Sequence, residues 1–516
     1  MRGAIDDSRW TIDNPSPETP NPKPHYTAMF KKEFLSALGS GRFLVTAILC
    51  LVLIPVGTFV NMKDYERRKL DYAQTQDLLV RRSAMNTPDA GSQAEGYRPP
   101  SDLGLWAVGL EPSLPNRIQT QWEGEYRAEN DRSTPAQLDG LLFGRVDLLF
   151  SAGLVLSLLA LVFSHGTIAA EKETGMLRIL LSQPVGRGRL LLAKSAGAFS
   201  AFVLPLVVAV ALTLMALCVS GFSPLTFSGW WVSFVGIMLA TLLYLSVIFC
   251  FGIFISASTH HSGSAMLASL LAWSVLILAL PRTVPSLADL IVSVPPRTIV
   301  DLQKSVVRRS IDERRIAECD QVLDTLVQKL MAVAVPDTLA SIDNASPEWS
   351  ARLADIEAKY KPIAARYGRE TDSLVSAIDE DFRGRQQQQA RVSRALSLFS
   401  PLSSYTYLMT ALCSTGTLEM ANLEQNARDF QRKADEEYYS RFIFRRYGYR
   451  LSINTALRTL DGTQGREGPK LPLLEYRTMT IGTILAKEWM DVGILLLAPL
   501  ALLWASYRKF LRYDAR

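Results

Sequence analysis

The sequence contains few of the residues from which catalytic and metal sites are commonly built. Its 516 residues include only five cysteines and four histidines. No Gly-x-Ser-x-Gly, Cys-x-x-Cys or His-Glu-x-x-His pattern occurs, so the sequence predicts no nucleophile elbow, dithiol pair or zinc-protease site. We therefore expect no catalytic residue, no metal site and no cofactor in this chain.

The cysteines and histidines that do occur are scattered. We expect solvated loop positions for all four histidines: His25, His165, His260 and His261. Three cysteines lie within apolar runs, where a thiol packs as a small apolar group: Cys50, Cys218 and Cys250. Cys319 and Cys413 lie in other segments, and the sequence leaves open whether they form a disulfide.

Charge is mild, and it argues against nucleic acid and nucleotide binding. The net charge is only +5, and no basic stretch is interleaved with aromatic residues, which excludes a nucleic-acid groove. Residues 188–195 nearly match the phosphate-loop pattern, but Ala193 replaces the second glycine and no strand precedes them. Because that loop needs glycine backbone amides around the phosphate, no nucleotide site is predicted.

Long apolar runs, in contrast, are abundant. A helix needs roughly 20 apolar residues to cross a bilayer core about 30 Å thick. The sequence predicts six transmembrane helices, at Phe43–Val60, Val146–Thr167, Ala196–Val219, Trp230–Ala257, Ser264–Leu280 and Val492–Tyr507. The predicted fold class is therefore an all-α integral membrane protein.

Lysine and arginine cluster beside alternate ends of these spans, which predicts the orientation. With the N-terminus in the cytoplasm, the short basic flanks all fall on the cytoplasmic side. The chain then begins with a disordered cytoplasmic tail (1–25), an amphipathic helix with the first span (26–60) and a first outer segment (61–145). Spans two to five (146–280), a helical outer domain (281–491), the sixth span (492–507) and a cytoplasmic tail (508–516) follow.

A charged segment at residues 171–194 joins spans two and three on the cytoplasmic side. Glu171 and Glu173 open it, a short amphipathic stretch around Arg178 follows, and Pro184 interrupts the helix. An amphipathic helix of this kind lies on a membrane surface as a connector or inserts into a groove of a partner. The residues alone leave both interpretations open.

This segment resembles the inner loop of ABC-2 type transporter permeases. The resemblance is carried by Glu171, Lys172, Glu173, Gly175, Leu177, Leu180, Leu181, Ser182, Gln183, Pro184, Val185, Arg187 and Lys194, and by the six-span layout. The outer segments are similar to a permease subgroup with a large periplasmic domain, related to gliding-motility and copper-enzyme-maturation permeases. That similarity rests on the phrases Arg98–Ser101, Gly109–Glu111, Leu398–Leu402 and Gly416–Thr417.

The resemblance implies a bacterial inner-membrane permease with both termini in the cytoplasm. It implies a coupling helix in the 171–194 segment that docks on a separate ABC ATPase, and a second permease chain, identical or related. The implied coupling residues are Glu171, Glu173, Gly175, Leu177, Arg178 and Pro184. ATP hydrolysis is expected in the partner, so this chain is not expected to be an enzyme.

The second outer segment predicts a helical hairpin with heptad spacing. Its two apolar seams are Ile316, Cys319, Leu323, Leu326, Leu330 and Val333, and Leu353, Ile356, Tyr360, Ile363 and Tyr367. The seams indicate core packing within the domain or a stalk that meets a periplasmic partner. Pro362 predicts a kink or a new helix, and further helix is expected at 418–445. The first outer segment predicts a helix followed by irregular chain.

Three functions are compatible with these features. The first is a permease subunit of an ATP-driven exporter whose cargo the sequence does not specify. The second is a mechanotransmitter that uses the partner's ATP hydrolysis to act on envelope proteins without transport. The third is a membrane-anchored scaffold without an ATPase.

Overall fold

The structure, a computed structural model, describes residues 26–84, 93–120, 126–130, 145–182, 186–222, 228–331, 347–437 and 471–512. Helices dominate these residues, which confirms the predicted all-α class. The predicted disordered tail at 1–25, Pro184, and the helix end at 438–445 lie outside the described residues.

Six helices are long and apolar enough to cross a membrane, which confirms the six predicted spans. They are α2 (Gly41–Ala84), α3 (Leu148–Glu173), α5 (Arg187–Val219), α6 (Ser228–Ser258), α7 (Ser262–Ile291) and α13 (Trp489–Leu511). A short helix, α1 (Tyr26–Leu38), precedes the first span. The 171–194 segment lies at one end of the bundle, which we call the loop end.

Two spans contain π-helical turns, at Ser151–Leu156 of α3 and Ser274–Ala279 of α7. Directly beside these turns, the indole Nε1 of Trp273 donates a hydrogen bond to Ser157 Oγ over 3.0 Å. Both groups are buried. The bond therefore joins the second and fifth spans at the level where their helices widen.

The opposite end of the bundle, the sheet end, carries a small sheet. Strands β1 (Glu95–Tyr97), β2 (Arg117–Thr120) and β3 (Tyr126–Glu129) pair antiparallel in sequence order. The prediction of irregular chain was therefore wrong here. These strands are too short for the alternating apolar pattern by which a strand is recognised. The sheet also packs against a helix from the second outer segment, which the sequence did not indicate.

That helix is α11 (Thr417–Glu437). Its buried face forms an apolar cluster with the sheet, made of Ala94, Ile118, Leu423, Ala427, Phe430 and Ala434. The chain after residue 471 lies along the same helix, where Asn426 Oδ1 accepts a 2.9 Å hydrogen bond from the backbone N–H of Arg477. The two outer segments thus fold together.

A long hairpin, which we call the stalk, consists of α8 (Arg297–Met331) and α9 (Pro347–Ser397). Helix α9 begins at Pro347, a residue type that suits the first helical position, and continues through Pro362 as one helix of 51 residues. Tyr367 is buried and donates a 2.7 Å hydrogen bond to Glu318 of α8. Ile316, which the sequence placed on the seam between the helices, is instead exposed.

After the stalk, the chain returns among the spans. Helix α10 (Pro401–Leu412) packs against the fourth and sixth spans, although the sequence analysis assigned it to the outer domain. Tyr405 stacks on Tyr244 with ring centroids 4.6 Å apart, and its hydroxyl lies 3.0 Å from Thr241 Oγ1. Helix α10 contains many hydroxyl residues, which lower its mean hydropathy although it packs against apolar side chains. A last short helix, α12 (Ile481–Lys487), leads into the sixth span.

Candidate functional site

The described residues of the 171–194 segment form the end of α3, a tight turn, a short helix and the start of α5. Helix α3 ends at Glu173, and Gly175 has a φ of +71°, a left-handed conformation that favours glycine. Helix α4 (Met176–Ser182) follows, and α5 begins at Arg187. The predicted short helix in this loop is therefore present, and Gly175 sets its direction.

An ion-pair triad with a buried lysine lies at the base of this segment. Lys194 Nζ lies 2.5 Å from Glu171 Oε1 and 2.6 Å from Glu33 Oε1. Lys194 is only 4% exposed. The triad joins the end of the second span, the start of the third and helix α1, so a displacement of one element is opposed by the other two.

Close backbone packing supports the triad. A Cβ atom added to Gly197 would lie 3.0 Å from both Glu33 Cβ and the carbonyl oxygen of Phe30. Glycine at this position lets α1 lie directly on α5. That approach is what brings the Glu33 carboxylate to Lys194.

The same segment is bonded to the fourth span. Lys172 Nζ donates to the carbonyl oxygens of Ala257 and Thr259, over 2.6 and 3.0 Å. Ala257 lies in the last turn of α6 and Thr259 directly follows the helix, so a cation is well placed at this C-terminus. Ser256 Oγ accepts hydrogen bonds from the backbone N–H groups of Ile168 and Ala169.

Bonds to the fifth and sixth spans complete the set. Glu173 Oε2 accepts a 2.9 Å hydrogen bond from the backbone N–H of Ser262, at the start of α7. A carboxylate at a helix N-terminus is favourable because the N–H groups there are unpaired. Arg187 Nη1 donates to the carbonyl oxygen of Leu511, 2.8 Å away near the end of α13. The segment therefore contacts the loop ends of all the later spans.

Helix α4 has one buried and one exposed face. Leu177 is 1% exposed and belongs to the main apolar core. Met176 and Ile179 are exposed, Ile179 by 62%, and Arg178 between them is also exposed. This gives a small exposed apolar patch with one cation, and we call Met176, Arg178 and Ile179 the α4 patch.

The predicted coupling residues thus have different structural positions. Glu171 and Glu173 bond to other elements, Gly175 forms the turn, and Leu177 anchors α4. Glu173 and Arg178 are the exposed members among these described residues, and Glu173 is bonded to α7, while Pro184 lies outside the described part.

The sequence analysis did not identify three residues that bond this segment to its neighbours through ion pairs or a helix cap: Glu33, Lys172 and Lys194. Lys172 and Lys194 had a signal in the sequence, as charges near the ends of apolar runs, whereas Glu33 lies inside the short helix before the first span and had none. His165, expected in a solvated loop, is buried in helix α3. Cys413, whose pairing was left open, is a free and buried thiol.

The near match to a phosphate loop is helical. Residues 188–195 belong to α5, which starts at Arg187. Their backbone N–H groups lie in the helix rather than in a loop that wraps an anion, and Lys194 is already paired with two carboxylates. These residues therefore have neither the backbone shape nor the free lysine that nucleotide binding needs.

At the sheet end, a second charged junction connects the stalk to the sixth span. Arg394 of α9 pairs with the buried carboxylates of Glu488 and Asp491, and its guanidinium lies 3.9 Å from the ring centre of Tyr407 in α10. One cation thus holds the stalk, the start of α13 and the inserted helix together.

The phrases Arg98–Ser101 and Gly109–Glu111 contact the chain just before the phrase Gly416–Thr417 at this end. Ser101 Oγ donates to the carbonyl oxygen of Cys413 over 2.5 Å, and the N–H of Leu110 donates to Thr415 over 2.8 Å. Arg98 and Glu111 form a buried ion pair of 2.8 Å. The hydrogen bonds of Ser101 and Leu110 join the two outer segments, and the Arg98–Glu111 pair lies within the first of them.

Comparison with known proteins agrees with this architecture. The family model described as ABC-2 family transporter protein matches residues 27–515, which is nearly the whole chain. No curated protein matches the sequence. Because the match includes all six spans and the 171–194 segment, the chain belongs to the ABC-2 family of transporter proteins, as a multi-pass membrane subunit of the permease type.

Proposed function

We propose that this chain is the permease subunit of an ATP-driven exporter and that a separate ABC ATPase docks on the 171–194 segment. The observation that carries the proposal is the bonding of this segment to α1 and to the third, fourth, fifth and sixth spans. A force applied there reaches all of these helices at once. A surface connector needs no such set of bonds.

The α4 patch is the proposed docking surface. Its exposed apolar side chains lie beside Arg178, while Leu177 fixes the helix from below. An apolar anchor with a neighbouring charge is the usual composition of a helix that inserts into a partner's groove. Glu171 and Glu173 then transmit the motion rather than contact the ATPase.

The proposed orientation places the loop end in the cytoplasm of a bacterial inner membrane, with both termini on that side. Basic residues beside the loop ends of the spans support it. The sheet and stalk then form a periplasmic domain, and two permease chains, identical or related, pair across the membrane.

Mechanotransmission is the second candidate function, and the junction at Arg394 favours it. This arginine ties the sixth span directly to a stalk helix of 51 residues. A tilt of that span would therefore move the far end of the stalk, where an envelope partner could be pulled or released without cargo crossing the membrane.

The experiment is to tag the C-terminus, extract the chain from native membranes in mild detergent and identify bound proteins by mass spectrometry. We expect a stoichiometric ABC ATPase, lost from the α4-patch variant R178E/I179D and retained by E380K, a reversal at an exposed stalk residue. Recovery of envelope proteins alone would favour the anchored scaffold instead.

A further inference from the structure

The stalk helix α8 has a second apolar face that nothing in the described chain covers. Leu302 and Val306 are 63% and 60% exposed, and Ile299 and Ile316 are about half exposed. They alternate at heptad spacing with Arg309 and Glu313, which are also exposed. We call Ile299, Leu302, Val306, Arg309, Glu313 and Ile316 the heptad stripe.

The stripe is not the face that holds the hairpin together. Val300 and Ile311 are buried against α9 on the other side of α8. That side is also tied by ion pairs, from Lys304 to Asp379 and from Arg314 to Glu370. The stalk is thus complete as a two-helix unit without the stripe.

The stripe also lies beyond the reach of lipid. Distances along α9 can be measured from Arg394, because this residue pairs with Asp491 at the start of the sixth span. Asp379, which pairs with α8 near Leu302, lies 15 residues from Arg394, about 20 Å along the helix. Arg366, which pairs with Glu318 near Ile316, lies about 40 Å away by the same measure.

Large aliphatic side chains aligned in water for this distance mark an interaction surface. We propose that the heptad stripe packs against the same stripe of a second copy, so that two stalks form a parallel coiled coil. The inference rests on the proposed pairing of two permease chains in one membrane. Both stalks then leave the same face of the bilayer, which makes their α8 helices parallel.

The charges on the stripe fit a second copy. Arg309 and Glu313 occupy successive core-type positions, and no ion pair within the described part of the chain involves either of them. In a parallel pair of helices, Arg309 of each copy lies beside Glu313 of the other. Two reciprocal ion pairs result, and charged core positions of this kind fix register and partner number.

The test uses the full chain in native membranes, with two differently tagged copies. Leu302 or Val306 is replaced by the photo-crosslinker benzoylphenylalanine, and Asp301 serves as the matched control. Asp301 is exposed at the same height but about 100° around the helix. We expect crosslinked dimers carrying both tags from 302 and 306, at least tenfold more than from 301.

A charge test separates contact between copies from pairing within one helix. R309E should reduce the dimer crosslink from position 306 severalfold, because it places like charges together. Co-expression of an R309E copy with an E313R copy should restore a mixed dimer. Pairing within one helix would give no such rescue between copies.

The outcomes are distinguishable from those of the proposed function. ATPase recovery is measured in the same preparation. A retained ATPase with no dimer crosslink, equal crosslinking from 301 and 302, or crosslinks to a different protein would overturn the coiled coil while leaving the permease assignment intact. Dimer crosslinks without any ATPase would support the stripe and contradict the proposed function.

Discussion

Lys194 lies 2.5 Å from Glu171, which is 23 residues earlier in the chain and at the other end of the loop. The pair closes the base of the 171–194 segment, and Glu33 binds the same ammonium from helix α1. In the proposed function, this closure turns docking on α4 into movement of the spans.

Removing the charge of Glu171 should uncouple transport from ATP hydrolysis. In E171Q, Lys194 retains only Glu33 as a charged partner, so the ion pair between α3 and α5 is lost while the α4 patch is unchanged. We expect normal ATPase recovery with ATP hydrolysis that no longer responds to the permease. Hydrolysis by the purified complex checks this against E380Q, and unchanged regulation in E171Q would contradict the role of the triad.

Substitution on α4 should separate docking from folding. I179D places a charge in the exposed patch and should abolish ATPase recovery. The free energy of unfolding of the purified chain should stay within about 1 kcal/mol of the wild-type value. L177D places a charge in the core and should prevent stable folding. Binding of the ATPase by I179D as strong as that of the wild-type chain would contradict the assignment of the α4 patch as the docking surface.

Loss of Arg394 should destabilise the sheet end strongly. R394Q leaves the buried carboxylates of Glu488 and Asp491 without their cation, a change that typically costs about 3–5 kcal/mol. The matched control is R385Q, which removes an exposed ion pair with Asp381 worth at most about 1 kcal/mol. Unfolding followed by tryptophan fluorescence compares them, and equal small effects would contradict a buried junction.

Glu419 should give the outer domain a specific pH dependence. Burial raises the pKa of this carboxyl group from its ordinary value of 4.5, although Tyr476 donates a hydrogen bond to it over 2.5 Å. The folded state therefore holds this proton more tightly than the unfolded state does. The stabilisation is complete below pH 4.5 and is lost as the pH rises through the raised value.

Unfolding temperatures measured between pH 4.5 and 7 for wild type and E419Q test this. The wild-type chain should lose stability relative to E419Q as the pH rises, because glutamine does not titrate. A difference between the two proteins that stays constant with pH would contradict the raised pKa.

The spans and the short loop helix could be predicted because each depends on local sequence. The apolar run of α6 is recognisable by its length, and the amphipathic stretch around Arg178 indicates a short helix. The turn at Gly175 was not predicted. The family resemblance then indicated the partner. Nothing in these steps required knowledge of which distant residues meet.

The contacts that depend on distant residues were not predictable. Glu33 and Lys194 meet only because Gly197 allows α1 to lie on α5. Ile316 was assigned to the seam of a hairpin because heptad spacing does not identify which partner a face meets. Helix α10 was placed outside the spans because its many hydroxyl residues make its sequence look polar. In the structure these groups form hydrogen bonds within the bundle, as Tyr405 does.

The most direct test of the central claim is whether ATP moves the stalk through the triad. A spin label at exposed Ser373 of α9 in each permease chain of the purified complex reports the distance between stalks, with and without a non-hydrolysable ATP analogue. We predict a clear change of distance in the wild-type complex and none in E171Q, with the ATPase bound in both. The same change in both complexes, or no change in the wild type, would contradict transmission through Glu171 and Lys194.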